Sequence, residues 1–262
     1  KNEKYLYSIA DDGVQVFNES SVYTFAPHTL YANWTEIPPV IEIEHECNNI
    51  EHWLELSNDV VMPLSSGNYC LCDNLVMDQT IFISSGTVNL CLNGYNLSLK
   101  ENMDSALIII ESGATLNLYD CKNTGKVTGG NQSSIASCIA VFGNLVMYGG
   151  IISENSGYNP PIGIQPDGQF TMYGGSISNN TVYQGGGVVA IEGKVTMYGG
   201  SISNNTASHD AGGILIQDGI LSMYGGSISN NTAYQIGGGI ILQGDSRFTL
   251  NKGTISDNYG SG

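Results

Sequence analysis

Apolar residues in this chain come in short runs, with alternate positions apolar, rather than at the three-to-four spacing of a helix. Val188-Val189-Ala190-Ile191 is followed by Glu192-Gly193, then Lys194-Val195-Thr196-Met197-Tyr198, then Gly199-Gly200, then Ser201-Ile202-Ser203-Asn204-Asn205. Each run is too short for a helix and is bounded by turn residues, so each predicts a β-strand. The unit recurs. Met-Tyr-Gly-Gly stands at 147–150, 172–175, 197–200 and 223–226, in steps of 25, 25 and 26 residues. A degenerate copy, Thr249 to Gly253, follows, and Leu118-Tyr119-Asp120 and Leu90 carry the period upstream. Three short strands per coil of about 25–28 residues predict an all-β chain wound as a parallel β-helix. One coil cannot bury its inner face, whereas stacked coils share a continuous core.

Stacking sets equivalent residues about 4.8 Å apart, the strand spacing of a sheet. The column Met147, Met172, Met197, Met223, Leu250 is apolar, as is the column two residues earlier, Leu145, Phe170, Val195, Leu221, Phe248. Period two puts both on one face, which is therefore the core. Ile152, Ile177, Ile202, Ile228 and Ile255 form a third inward column. The methionines read as gap-filling core residues. Asn155, Asn180, Asn205, Asn231 and Asn258 read as an inward asparagine ladder, because stacked amides can bond along the column. The preceding column admits Glu154 and Asp257 and is expected to face water.

Composition narrows the function classes. Of 262 residues, 24 are acidic and 8 basic, for a net charge of −16. That balance argues against nucleic acid, which needs a basic footprint, and against anionic lipid. Glycine, at 34 residues, is near twice its usual ~7% share, as suits a chain of strands and turns. The longest obvious apolar runs, such as Ala106 to Ile110, are far short of the ~20 residues of a membrane helix. No signal peptide opens the chain, so targeting and anchoring parts are expected elsewhere.

Three surfaces carry candidate chemistry. Parity with the methionines turns Tyr119, Tyr148, Tyr173, Tyr198 and Tyr224 outward as an aromatic stripe, either self-stacking or a platform for sugar rings or a protein. Asp167, Glu192, Asp218 and Asp245 stack at a turn; like charges so close splay into water, enclose Ca2+, or form a carboxylate pair at the ~5 Å separation of a retaining glycosidase, although nothing marks one of them as the acid. Variable loops follow each ladder asparagine and carry Tyr158, Tyr183, Tyr234, His209 and Asp210, on the edge that repeat proteins often use for binding. Six cysteines, Cys47, Cys70, Cys72, Cys91, Cys121 and Cys138, all precede the perfect repeats. No Cys-x-x-Cys pair or histidine cluster points to zinc. They read as structural cysteines, free or loosely paired, with disulfides the alternative in a secreted setting.

Tyr23-Thr24-Phe25-Ala26-Pro27-His28-Thr29-Leu30-Tyr31-Ala32-Asn33-Trp34 resembles the closing strand of the Listeria–Bacteroides (InlB B-type) repeat, a small β-grasp module of bacterial surface proteins. Val88 to Tyr95, Gly113 to Asp120, Gly125 to Gly130 and the Gly-Gly-Ser-Ile-Ser-Asn-Asn-Thr repeats resemble right-handed, pectate-lyase-like β-helix domains of large Firmicutes surface proteins. Three parts are therefore expected: the end of a β-grasp repeat at 1–35, a linker and solenoid cap at 36–65, and a β-helix at 66–262. The resemblance implies an extracellular, wall-attached host protein. It leaves activity open, because this scaffold carries adhesins, lyases and hydrolases alike. The basic residue of pectate lyases and the Asn-Thr-Asp, Asp-Asp, Gly-His-Gly and Arg-Ile-Lys motifs of polygalacturonases find no match, and Arg247 is the only arginine. The expected function is a non-catalytic binding or adhesion module with no cofactor other than Ca2+. Its expected partners are host glycans, mucin-type glycoproteins or a secreted protein such as immunoglobulin. The alternatives are an accessory domain of a carbohydrate-active enzyme and a ligand-free stalk.

Overall fold

A computed structural model describes residues 5–8, 15–17, 35–36, 42–43, 47, 50–101, 103–129 and 137–260. The Tyr23–Trp34 motif lies outside them. The chain divides into two compact units, 1–41 and 42–262. In the first, Tyr5–Ser8 pairs antiparallel with Gln15–Phe17 on one side and Thr35–Glu36 on the other.

The second unit is a parallel β-solenoid, and the described residues contain no helix. One sheet stacks seven strands, from Ile81–Ile83 to Ile240–Gln243, one per coil. A second runs from Gly67–Cys70 through Ala114–Tyr119 and Lys194–Met197, and a third from Leu75–Met77 through Ser201–Ser203. In the last two coils these two merge into the long strands Ile220–Ser229 and Arg247–Ser256. A fourth, two-residue sheet stacks Ser156–Gly157, Thr181–Val182, Thr206–Ala207, Thr232–Ala233 and Tyr259–Gly260, so these coils make one more turn of pairing than the three expected.

The columns follow the sequence reading. Leu90, Leu118, Met147, Met172, Met197, Met223 and Leu250 are consecutive partners, as are the five isoleucines. Met147 to Met223 and Ile152 to Ile228 are fully buried. Each such side chain contributes about 1.5–3 kcal/mol by leaving water. Leu250 and Ile255, expected inside, are exposed in the last coil. An inward position is dry only when a coil covers it on both sides.

Corners are set by backbone chemistry. Glu154, Asn179, Asn204, Asn230 and Asp257 are exposed with φ of 55–60°. That left-handed bend favours asparagine and aspartate, whose short side chains tolerate it. The bend turns the next residue inward, and each ladder amide then donates to the next coil's Oδ1 at 2.8–3.0 Å. Backbone N–H groups of Asn155 to Asn231 donate to the same oxygens at 3.0–3.1 Å. The ladder thus satisfies a bend that no strand pairing reaches. In the Gly-Gly corner, a Cβ on Gly174, Gly199 or Gly225 would fall 2.2–2.5 Å from a tyrosine carbonyl of the preceding coil. The first glycine is there because two backbones pass within contact.

Candidate functional site

The outward tyrosines form a ridge along the solenoid. Centroids of Tyr119, Tyr148, Tyr173, Tyr198 and Tyr224 are 4.8, 5.1, 5.0 and 5.1 Å apart, with planes within 15° of parallel. Strand spacing produces this stack, since each ring sits one coil above the last. Tyr148, Tyr173, Tyr198 and Tyr224 are 41–48% exposed. Tyr119 was expected outward too but is buried, packed with Cys47, Trp53, Cys70 and Cys91. The stretch before the first coil folds over this column, because Trp53–Glu55 pairs in parallel with Gly67–Cys70. Trp53 Nε1 donates to the Ile50 carbonyl at 2.8 Å. The ridge is therefore covered at its first coils and open from Tyr148 onward.

A second aromatic line lies on the loop edge. Tyr158 and Tyr183 stack at 4.7 Å, and Tyr183 meets the His209 ring at 5.4 Å and 33°. His209 Nδ1 is 3.0 Å from Asp210 Oδ2. Tyr158, Tyr183 and Tyr234 are exposed, as is Ile236. The structure thus joins Tyr158, Tyr183, His209 and Asp210 into one chain of contacts, with Tyr234 on the following coil.

Asp167, Glu192 and Asp218 sit exposed at one turn column with φ of 51–65°, whereas Asp245, expected in that column, is exposed one residue past it, because Gln217 pairs with Gln243 and Gly244 takes the left-handed position. Asp218 Oδ1 accepts the backbone N–H of Asp245 at 2.9 Å, so this carboxylate caps the next coil's turn. Among the described residues these four do not gather into a cation-holding group; the one group of three whose ligand atoms lie within 4.8 Å of one another is Cys47, Cys91 and Cys121.

That thiol group is what sequence spacing missed. Cys91 and Cys121 sulfurs are 3.8 Å apart. Burial pushes the Cys47, Cys70 and Cys91 thiols up, since a buried thiolate loses its hydration. Cys138, elsewhere in the core, is pushed up to about 12 for the same reason. Cys70 is buried and Cys72 exposed, because the strand ends at Cys70 and alternation stops there. A signal was present: Cys91 is the strand partner of Tyr119 and Cys70 that of Cys91, so both occupy the tyrosine column of the first coils. Likewise missed is a second ladder, in which Asn117 donates to Asn89 at 2.8 Å, Asn89 to Asn68 at 2.7 Å, and Asn68 to the Glu51 carbonyl at 2.9 Å.

No family model, curated protein or solved structure matches the chain.

Proposed function

We propose that this chain is a non-catalytic binding module of an extracellular bacterial surface protein, and that the ridge Tyr148, Tyr173, Tyr198, Tyr224 is where a host glycan or glycoprotein docks. The observation that carries this reading is the run of four half-exposed, co-stacked rings. A rigid line of rings offers contact area with little rotamer entropy left to lose. Lysine and arginine total 8 against 24 acidic residues, which disfavours polyanionic partners.

Ring spacing narrows the mode of contact. A sugar entering between two rings needs roughly 7 Å, twice a ~3.5 Å contact, and the rings stand only 4.8–5.1 Å apart. A ligand therefore meets ring edges and phenolic hydroxyls rather than faces. Edges and hydroxyls suit a broad glycoprotein surface, such as mucin-type glycoprotein or secreted immunoglobulin, better than one stacked sugar ring. The resemblance to wall-attached surface proteins supports the extracellular placing, and the absence of lyase and polygalacturonase motifs supports a non-catalytic role. The mutual stacking of the rings favours one second reading, a ligand-free stalk, because stacking alone gives the stripe a structural purpose.

Glycan arrays and capture from host secretions test the proposal. Tyr173→Ala with Tyr198→Ala is expected to weaken the captured partner about tenfold or more, as for two central aromatic anchors. Unchanged affinity sinks the ridge as the site. No partner for the unaltered chain at high concentration leaves the stalk. Turnover of any polysaccharide, lost on changing Asp167, Glu192 or Asp218, overturns the non-catalytic reading.

A further inference from the structure

We propose that Cys47, Cys91 and Cys121 bind one thiophilic d10 metal ion, zinc(II) in class, which fastens the stretch preceding the first coil to the two coils behind it. This inference is independent of the binding reading. It rests on three sulfurs from separate parts of the chain that converge within 4.8 Å of one another. The repeat does not ask for them. At the strand position of Cys91 the next coil has Tyr119, and two residues after that tyrosine stands Cys121, where later coils place the second glycine of Met-Tyr-Gly-Gly. Core packing is complete without thiols at those positions in every later coil.

The geometry fits a metal–thiolate face. Zinc–sulfur bonds of about 2.3 Å in a tetrahedron set sulfurs about 3.8 Å apart. The Cys91–Cys121 separation is 3.8 Å. Asp120 is committed elsewhere: its two oxygens accept N–H groups of Gly94 and Gly125 at 2.7 Å. It is thus not free to be the fourth ligand. Cys121 is exposed, so the remaining position opens to water. On binding, three thiols release three protons and the divalent ion enters, leaving one net negative charge in place of three neutral thiols. Cys47 comes from the stretch that also carries Ile50 and Trp53, so the ion would tie that cover to both coils.

The test uses the whole chain, purified under reducing conditions and stripped of metal, titrated with cobalt(II). The expected result is a sulfur-to-cobalt charge-transfer band that saturates at one ion per chain and is bleached by zinc(II). Cys121→Ser, at an exposed position that leaves the core intact, is expected to lower cobalt affinity at least tenfold; Cys72→Ser is expected to leave it unchanged. A thiophilic chelator should lower the melting temperature of the zinc-loaded chain but not of Cys121→Ser. Absence of a saturable band in the reduced chain overturns the proposal. So does a cobalt affinity that is unchanged in Cys121→Ser, or a band that disappears in Cys72→Ser. Peptide mapping that finds Cys91 bonded to Cys121 or Cys47 in protein isolated without added oxidant also overturns it, by assigning the sulfurs to a disulfide.

Discussion

Replacing Asn205 with alanine tests whether the buried ladder holds the coils in register. Asn205 is fully buried. Its amide nitrogen donates to Asn231 Oδ1 at 3.0 Å and to the Ile177 carbonyl at 2.9 Å. Its Oδ1 accepts from Asn180 Nδ2 at 2.8 Å and from the Asn180 backbone N–H at 3.1 Å. Alanine removes these four bonds at once. Asn180 Nδ2 keeps the Ile152 carbonyl at 3.0 Å and Asn231 Oδ1 keeps the Asn205 N–H at 3.0 Å, so two backbone groups take most of the loss. These are the Asn180 N–H and the Ile177 carbonyl. Orphaning a buried polar group costs about 1–3 kcal/mol, so the expected destabilisation is about 3–5 kcal/mol, with weakened neighbours included. The adjacent Asn204 is exposed at φ 56°, and its alanine variant loses only the preference for that bend, about 1–2 kcal/mol. Urea unfolding followed by circular dichroism measures the difference. A solenoid can open coil by coil, so native-state hydrogen exchange should accompany it, with protection lost first at the Asn180 and Thr206 amides. The reasoning fails if Asn205→Ala costs no more than Asn204→Ala, or if exchange quickens equally in every coil.

Three further outcomes follow from geometry and burial. Gly199→Ala would place a Cβ 2.3 Å from the Tyr173 carbonyl oxygen, so adjacent coils must part; urea melts should show a loss of about 2–3 kcal/mol, and a loss below about 0.5 kcal/mol would contradict the close approach. Burial raises the Cys138 thiol from 9.0 to about 12, so folding favours its neutral form. Its contribution is whole below pH 9 and falls by about 1.4 kcal/mol per pH unit as pH rises toward 12. Cys138→Ala should flatten the decline of stability with pH across that window, and identical slopes would refute the assignment. The variant Tyr173→Ala with Tyr198→Ala should keep its circular dichroism spectrum and core exchange protection, since both rings are 48% exposed; a collapsed spectrum would mean that the stripe holds up the fold.

Much of the scaffold was legible from period alone. Once a coil has a fixed length, equal positions must touch, so the methionine, isoleucine and asparagine columns and the outward parity of Tyr148 to Tyr224 could be read from spacing. The positive-φ corner was half visible, as asparagines and acids standing before an inward asparagine. The short fourth sheet was not, because two-residue pairings leave no alternation to detect.

What the tertiary structure alone decided lies where the chain departs from its repeat. Tyr119 holds the same place in the period as the other tyrosines, yet it is buried, because Trp53 and Cys47 arrive from a segment with no period. The three sulfurs meet for the same reason: 44 residues separate Cys47 from Cys91 and 30 separate Cys91 from Cys121, and no motif spacing spans such gaps. Sequence settles contacts between like positions because winding enforces them. Contacts between unlike positions depend on where a non-repeating segment lands, and only the packed chain determines that.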